Sequence, residues 1–226
     1  MQTATDTEMI SFGDWTLRVR SSQSSNPRLL VMLHGWQGDE NSMWIFTRRL
    51  SSDYWMMAPR GPYTADPSGF SWRPLQLSTF GMPRLETLLP AAKELIKLID
   101  EYSASVKLDA LQFDLIGFSQ GAAMTNLMGI LYPHRIRKMG VLAGFVPAGL
   151  DHLILQKPLT GKKVFIAHGT QDQTIPIDRA RDSIKLLEQA GAQVIFCEDE
   201  VGHKLSANCL RALESYLSSP NSKDKD

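Results

Sequence analysis

D-L-I-G-F-S-Q-G-A-A-M, residues 114–124, holds one serine between two glycines where an apolar run gives way to a helical pattern. Glycine and serine are ordinary turn residues, and roughly one chain in ten of this length would carry G-x-S-x-G by chance. The sharper reading is a nucleophile elbow, a tight strand-to-helix turn that pushes a serine hydroxyl into the open. What surrounds the five letters has to decide between them.

Short apolar runs recur around this stretch, at Leu29–Leu33, Trp55–Ala58, Phe113–Gly117, Met139–Ala143, Val164–Ala167 and Val194–Cys197. Most lack alternation, as expected of strands buried on both faces of a parallel sheet. Helical patterns separate the later runs. Leu85, Leu88, Leu89, Ala92, Leu95, Ile96 and Ile99 recur at three and four, with Pro90 as a start or kink. Asp178 is placed to cap a helix through Ile184 and Leu187 that stops at Gly191, and Leu205, Cys209, Leu210, Leu213 and Leu217 give a last helix its apolar face. Ser11–Arg20 reads as an edge hairpin strand. The alternation predicts an α/β fold, a mostly parallel central sheet with helices on both faces.

Length and composition agree with that class. The 226 residues, 43% hydrophobic and 21% charged, suit one globular domain over 1–226, with 1–9 and 218–226 as flexible ends. Lys plus Arg balance Asp plus Glu at 24 each, whereas a nucleic-acid binder carries a basic excess. Cys197 and Cys209 are too few for a disulfide scaffold. The opening residues are polar and acidic, unlike a signal peptide, and no apolar run approaches the ~20 residues of a membrane span. A cytoplasmic protein is the expectation. No Cys/His cluster suggests a metal.

In open parallel sheets, ligands sit beyond the carboxyl ends of the strands. The chemically distinctive residues fall there: His34-Gly35-Trp36, Ser119, His168-Gly169-Thr170-Gln171-Asp172 and Gly202-His203 each follow an apolar run. A serine nucleophile needs a base, and the base an orienting acid, which on this scaffold follow in the order Ser, acid, His. That order excludes His34. His134 is carried away along the helix that starts at Ser119, His152 lacks a suitably placed acid, and His168 precedes the best acid. His203 remains, with Asp172 as its partner and Asp178 as a weaker substitute. One oxyanion donor is expected from the backbone N–H of Gln120, at a helix N-terminus, and a second from Trp36.

Together, L-H-G-W-Q-G-D, A-P-R-G-P, G-F-S-Q-G-A, H-G-T-Q-D-Q-T-I-P and G-H-K-L-S, from residue 33 to residue 206, resemble the phospholipase/carboxylesterase family of α/β-hydrolases, the branch that includes acyl-protein thioesterases. The resemblance implies a cofactor-free hydrolase of esters or thioesters, acting on small acyl substrates or acylated proteins. It places Ser119, Asp172 and His203 in the triad and Trp36 and Gln120 at the oxyanion. The chain departs from the family at Gln37 and Ala122, where glycine is usual, and at Trp36, where a small or aliphatic residue is common.

The segment 60–84 is rich in glycine and proline and longer than most structureless loops, and its aromatics disfavour disorder. It reads as a pocket wall in which Phe70, Trp72 and Phe80 face a substrate, with Trp36 opposite. Plain packing of these rings is the competing reading. Arg73 could grip an acidic substrate group, but an exposed structural arginine is the preferred reading. Two other functions fit the letters less well: another hydrolase on this scaffold, such as a small peptidase or lactone hydrolase, or a binding module that retains the fold.

Overall fold

A computed structural model of the chain describes residues 7–74 and 83–219. The six apolar runs form strands β3 (Arg28–Leu33), β4 (Tyr54–Pro59), β7 (Phe113–Phe118), β8 (Ile136–Leu142), β9 (Lys163–Gly169) and β10 (Gln193–Asp199). They join a hairpin of β1 (Glu8–Phe12) and β2 (Trp15–Arg20) in one eight-stranded sheet, ordered β1-β2-β4-β3-β7-β8-β9-β10. Within this sheet only the β1–β2 and β2–β4 pairs are antiparallel, and β5 (Tyr63–Thr64) and β6 (Phe70–Ser71) form a separate antiparallel pair. The hairpin begins earlier than the flexible end expected over 1–9, because Glu8, Met9 and Ile10 pair with Val19, Arg18 and Leu17.

Among the described residues, five α-helices pack on the sheet: α1 (Leu85–Ser105), α2 (Gln120–Leu131), the short α3 (Asp151–Ile154), α4 (Ile177–Gln189) and α5 (Ala207–Ser218). Leu88, Leu95 and Ile99 of α1 pack with Leu127 of α2 and Leu187 of α4 in one core, while Leu213 and Leu217 of α5 meet Met32 and Phe165 on the opposite face. Burying one such leucine stabilises the fold by about 1.5–3 kcal/mol. Residues 120–130 of α2 are all buried, which explains a helix apolar on every side.

Helix ends follow local chemistry. The Arg84 carbonyl accepts from both the N–H and the hydroxyl of Thr87, starting α1. Pro90 therefore lies inside that helix rather than at its start. The cap of α4 is Pro176, not Asp178, which instead lies in the first turn where a carboxylate favours the helix dipole. Gly191, at φ +91°, stops α4 by donating to the Glu188 carbonyl.

Register sets the site. Leu33 lies opposite Gly117, Gly117 opposite Val141, Leu142 opposite Ala167 and Glu198 opposite His168. The loops that follow these strands consequently emerge along one edge of the sheet. The two cysteines, on β10 and α5, form a disulfide with Cα atoms 5.6 Å apart, bracketing the loop that carries His203.

Candidate active site

Ser119 lies between β7 and α2 at φ +54°, ψ −114°, a backbone conformation few side chains adopt. The flanking glycines make this turn possible. A Cβ on Gly117 would fall 2.1 Å from the Gly121 carbonyl oxygen, and one on Gly121 would fall 2.1 Å from the Leu33 carbonyl oxygen. The Ser119 N–H donates to the Leu142 carbonyl at 2.8 Å, tying the turn to β8. Both glycines of the motif thus serve close approach of strand and helix.

His203 Nε2 lies 3.0 Å from Ser119 Oγ, and His203 Nδ1 lies 2.6 Å from Asp172 Oδ2. A carboxylate accepts, so Nδ1 carries the proton and Nε2 is left to accept from the serine hydroxyl. Asp172 is held in turn: its Oδ1 accepts the N–H groups of Thr174 and Ile175, each at 2.9 Å. The imidazole rests against Phe118 with ring centroids 4.9 Å apart.

The loops bearing this pair are pressed together. Thr170 N–H donates to the Asp199 carbonyl and Gln171 N–H to that of Val201. A Cβ on Gly169 would lie 2.1 Å from the Val201 oxygen, so the glycine after His168 is required by this contact. His168 donates from Nε2 to the Ile175 carbonyl at 2.8 Å and lies 3.4 Å from Asp172 Oδ2. Burial keeps it below the ordinary histidine value, so it stays neutral beside the carboxylate. This supporting role had no signal in the sequence beyond its place at a strand end. His134 follows α2, and His152 lies on α3 beside Gln156.

Trp36 belongs to a turn closed by a Gly38 N–H to Gly35 carbonyl bond of 3.0 Å. A Cβ on Gly35 would sit 3.2 Å from that of Ser119, so the turn abuts the serine. The departure at Gln37 costs backbone strain, since its φ is +63°, but its side chain donates to the Asp66 carbonyl at 2.7 Å. At the other departure, Ala122, the methyl occupies space that Gly144 leaves open: a Cβ there would lie 2.2 Å away. Gln120 opens α2, so its N–H has no carbonyl one turn earlier to bond. Its side chain faces elsewhere, accepting from Trp72 N–H and donating to Ser71 Oγ.

A cavity of about 170 Å³ lies over Ser119 and Gln120, walled by Trp36, Pro83, Phe145, Thr174, Ile175 and Arg73. A larger depression, about 650 Å³, opens beside Arg28 and Gln112, at the amino ends of β3 and β7, the wrong end of such a sheet for a ligand. Of the rings expected to face a substrate, Trp36 lines the cavity. Trp72 does not: it is fully buried, its indole N–H donates to the His34 carbonyl at 2.8 Å, and its ring lies 4.9 Å from that of His34. Phe70 instead lies beneath the Arg60 guanidinium, 4.4 Å from its ring centre, and pairs with Gly38. Phe80 lies outside the described residues. Arg73, expected on the surface, is only 3% exposed.

Among the described residues, no group of three or more His, Cys, Asp or Glu could hold a metal ion, and no helix is long and apolar enough to cross a membrane.

A mostly parallel sheet, a serine on a strained strand-to-helix turn, and an acid and a histidine on later loops define an α/β-hydrolase. Within that class the chain belongs to the phospholipase/carboxylesterase family, whose sequence pattern matches residues 16–221. It is 30% identical over 181 residues to the carboxylesterase SOBER1 of Arabidopsis thaliana, covering 74% of this chain and 77% of that one. It is 27% identical over 217 residues to a probable inactive carboxylesterase of Oryza sativa subsp. japonica, covering 87% and 88%. The carboxylesterase crystal structure from Bacillus cereus shares the fold, with a TM-score of 0.77 at 24% identity over 90% of this chain and 93% of that one.

Proposed function

We propose that the chain is a serine hydrolase that cleaves small carboxylic esters or thioesters through an acyl-enzyme. The observation that carries the reading is the hydrogen-bonded relay from Ser119 to His203 to Asp172, at 3.0 and 2.6 Å, on an elbow that opens into a cavity. In the first step Ser119 Oγ bonds to the acyl carbon while its proton passes to His203 Nε2. Asp172 holds the imidazole in the required tautomer and stabilises its positive charge. The backbone N–H groups of Gln120 and Trp36 take the developing oxyanion; losing one such donor costs about 3 kcal/mol of transition-state stabilisation. The carbon–oxygen or carbon–sulfur bond then breaks as His203 returns the proton to the leaving alcohol or thiol. Water repeats the sequence, releasing the acid and restoring Ser119.

The cavity beside Ser119 is small. At about 170 Å³ it holds roughly five or six water-sized groups, below the ~300 Å³ at which pockets for drug-sized ligands begin. Short acyl groups are therefore the substrates we expect. The test is fluorophosphonate labelling of the wild type beside Ser119→Ala, with p-nitrophenyl esters of rising acyl length. Labelling and turnover that vanish with Ser119, with a rate maximum at short chains, support the proposal. A protein that neither labels nor turns over any ester overturns it and leaves the binding-module reading, which the inactive designation of the rice relative keeps relevant.

The compartment is part of the same proposal. A cytoplasmic enzyme would keep Cys197 and Cys209 reduced, because disulfides persist mainly in oxidising compartments. Thiol trapping in freshly lysed cells reads this directly.

A further inference from the structure

We infer that Arg73 makes this site selective for esters that carry a compact anionic group, a carboxylate being the simplest, a few atoms from the scissile carbonyl. The inference rests on the ester-hydrolase reading above and adds a substrate class to it. Arg73 lines the same small cavity as Ser119 and is 97% removed from solvent. Guanidinium stays protonated at neutral pH, even though burial draws its ionisation below the ordinary value. The two residues thus share one space of about 170 Å³.

Its position is tied to the nucleophile through buried hydrogen bonds. Gln120, the residue after Ser119, donates from Nε2 to Ser71 Oγ at 3.0 Å. Ser71 Oγ donates to the Arg73 carbonyl at 2.7 Å and accepts the Arg73 N–H at 3.2 Å. Trp72 N–H closes the set on Gln120 Oε1 at 2.9 Å. The backbone of Arg73 is therefore set by the residue that also supplies the expected oxyanion donor.

The surroundings strengthen the charge. Trp36, Pro83, Phe145 and Ile175 present apolar surface, and a charge acts more strongly where water is excluded. A second guanidinium, Arg179, stacks 3.5 Å from the centre of the Phe145 ring, behind that wall. Asp172, the acid of the site, has its oxygens engaged by His203 and by the amides of Thr174 and Ile175. A guanidinium can hold an incoming carboxylate by two parallel hydrogen bonds.

The test compares two esters of nearly equal shape, monomethyl succinate and methyl 4-methylpentanoate, in which a carboxylate replaces an isopropyl end. Wild-type kcat/KM should favour the half-ester by at least about tenfold, equal to about 1.4 kcal/mol. The ratio should fall to about one or invert in Arg73→Met and recover in part in Arg73→Lys. Should Arg73→Met not fold, succinate and succinamide are compared as competitive inhibitors of the wild type, and the dianion should be the stronger. Equal rates, a preference for the neutral ester, equal inhibition, or an unchanged ratio in Arg73→Met with both rates lowered would each overturn the inference while leaving the hydrolase intact. Absence of turnover of either ester, with Ser119 unlabelled by fluorophosphonate, would overturn the hydrolase reading and this inference with it.

Discussion

A Cβ on Gly121 would lie 2.1 Å from the carbonyl oxygen of Leu33, so the helix that begins after Ser119 is seated directly on the end of β3. Backbone, not a flexible side chain, occupies the space. Gly121→Ala should therefore cost at least about 3 kcal/mol, the upper end of overpacking penalties. Gly161→Ala makes the contrast: φ there is +77°, but nothing lies within 4 Å of the added carbon. Its cost should be about 1–2 kcal/mol, the left-handed backbone penalty alone. Urea unfolding of the two variants checks the order, and a smaller loss at Gly121 than at Gly161 would refute it.

Asp172→Asn tests the relay without emptying it. Oδ1 can still accept from Thr174 and Ile175, so the loop should keep its shape, while the amide no longer selects the Nδ1–H tautomer of His203. We expect kcat to fall by about 10⁴ with the melting temperature little changed. Ester turnover within tenfold of the wild type would remove Asp172 from the proposed triad.

Cys197 and Cys209 close a short loop, separated by 12 positions, around His203. A cross-link over a loop of about this length contributes roughly 3 kcal/mol, chiefly by restricting the unfolded chain. Dithiothreitol should lower the urea midpoint of the wild type and leave a Cys197→Ser, Cys209→Ser double variant unaffected. Equal midpoints for oxidised and reduced wild type would show that the bond contributes nothing.

Two buried imidazoles predict acid sensitivity. His34 accepts the Gly61 N–H at Nε2, and desolvation holds both it and His168 below the ordinary 6.5. The unfolded chain then binds protons that the native protein refuses, so stability is full above about pH 6.5 and is lost as pH falls from there through the lowered native values. The slope should approach about 2.7 kcal/mol per pH unit for the two together. Denaturant titrations between pH 7.5 and 5 measure it, and His168→Gln should flatten it. A stability that rises on acidification over that range would contradict the assignment.

Much of this arrangement could be read from the residues, for identifiable reasons. Strands buried on both faces appear as unbroken apolar runs, so β3, β4 and β7–β9 are legible, while half-exposed β10 shows only the short run Val194–Cys197. Chain order picked His203 from five histidines, and the geometry then places it 3.0 Å from Ser119. What escaped depends on direction rather than composition. Nothing periodic in Gly69–Arg73 tells that Trp72 turns inward to the His34 carbonyl and that Arg73 enters the cavity. The cysteine pairing was equally hidden, because the count gives their number while proximity depends on α5 crossing back beside β10. The start of β1 at Glu8 was missed because an edge strand with exposed residues carries little apolar signal.

The order of the sheet separates the residues proposed to cut from those proposed to choose. Ser119, Asp172 and His203 follow β7, β9 and β10, on one half of the sheet, while Trp36 follows β3 and Arg73 lies in the connection from β4 to α1, on the other. Between the halves runs the Gln120 side chain, which grips Ser71 and the Trp72 amide. A graft that kept Ser71 and Trp72 as its clasp could exchange the remainder of 60–84 and change which acyl groups enter while the scissors stay where they are.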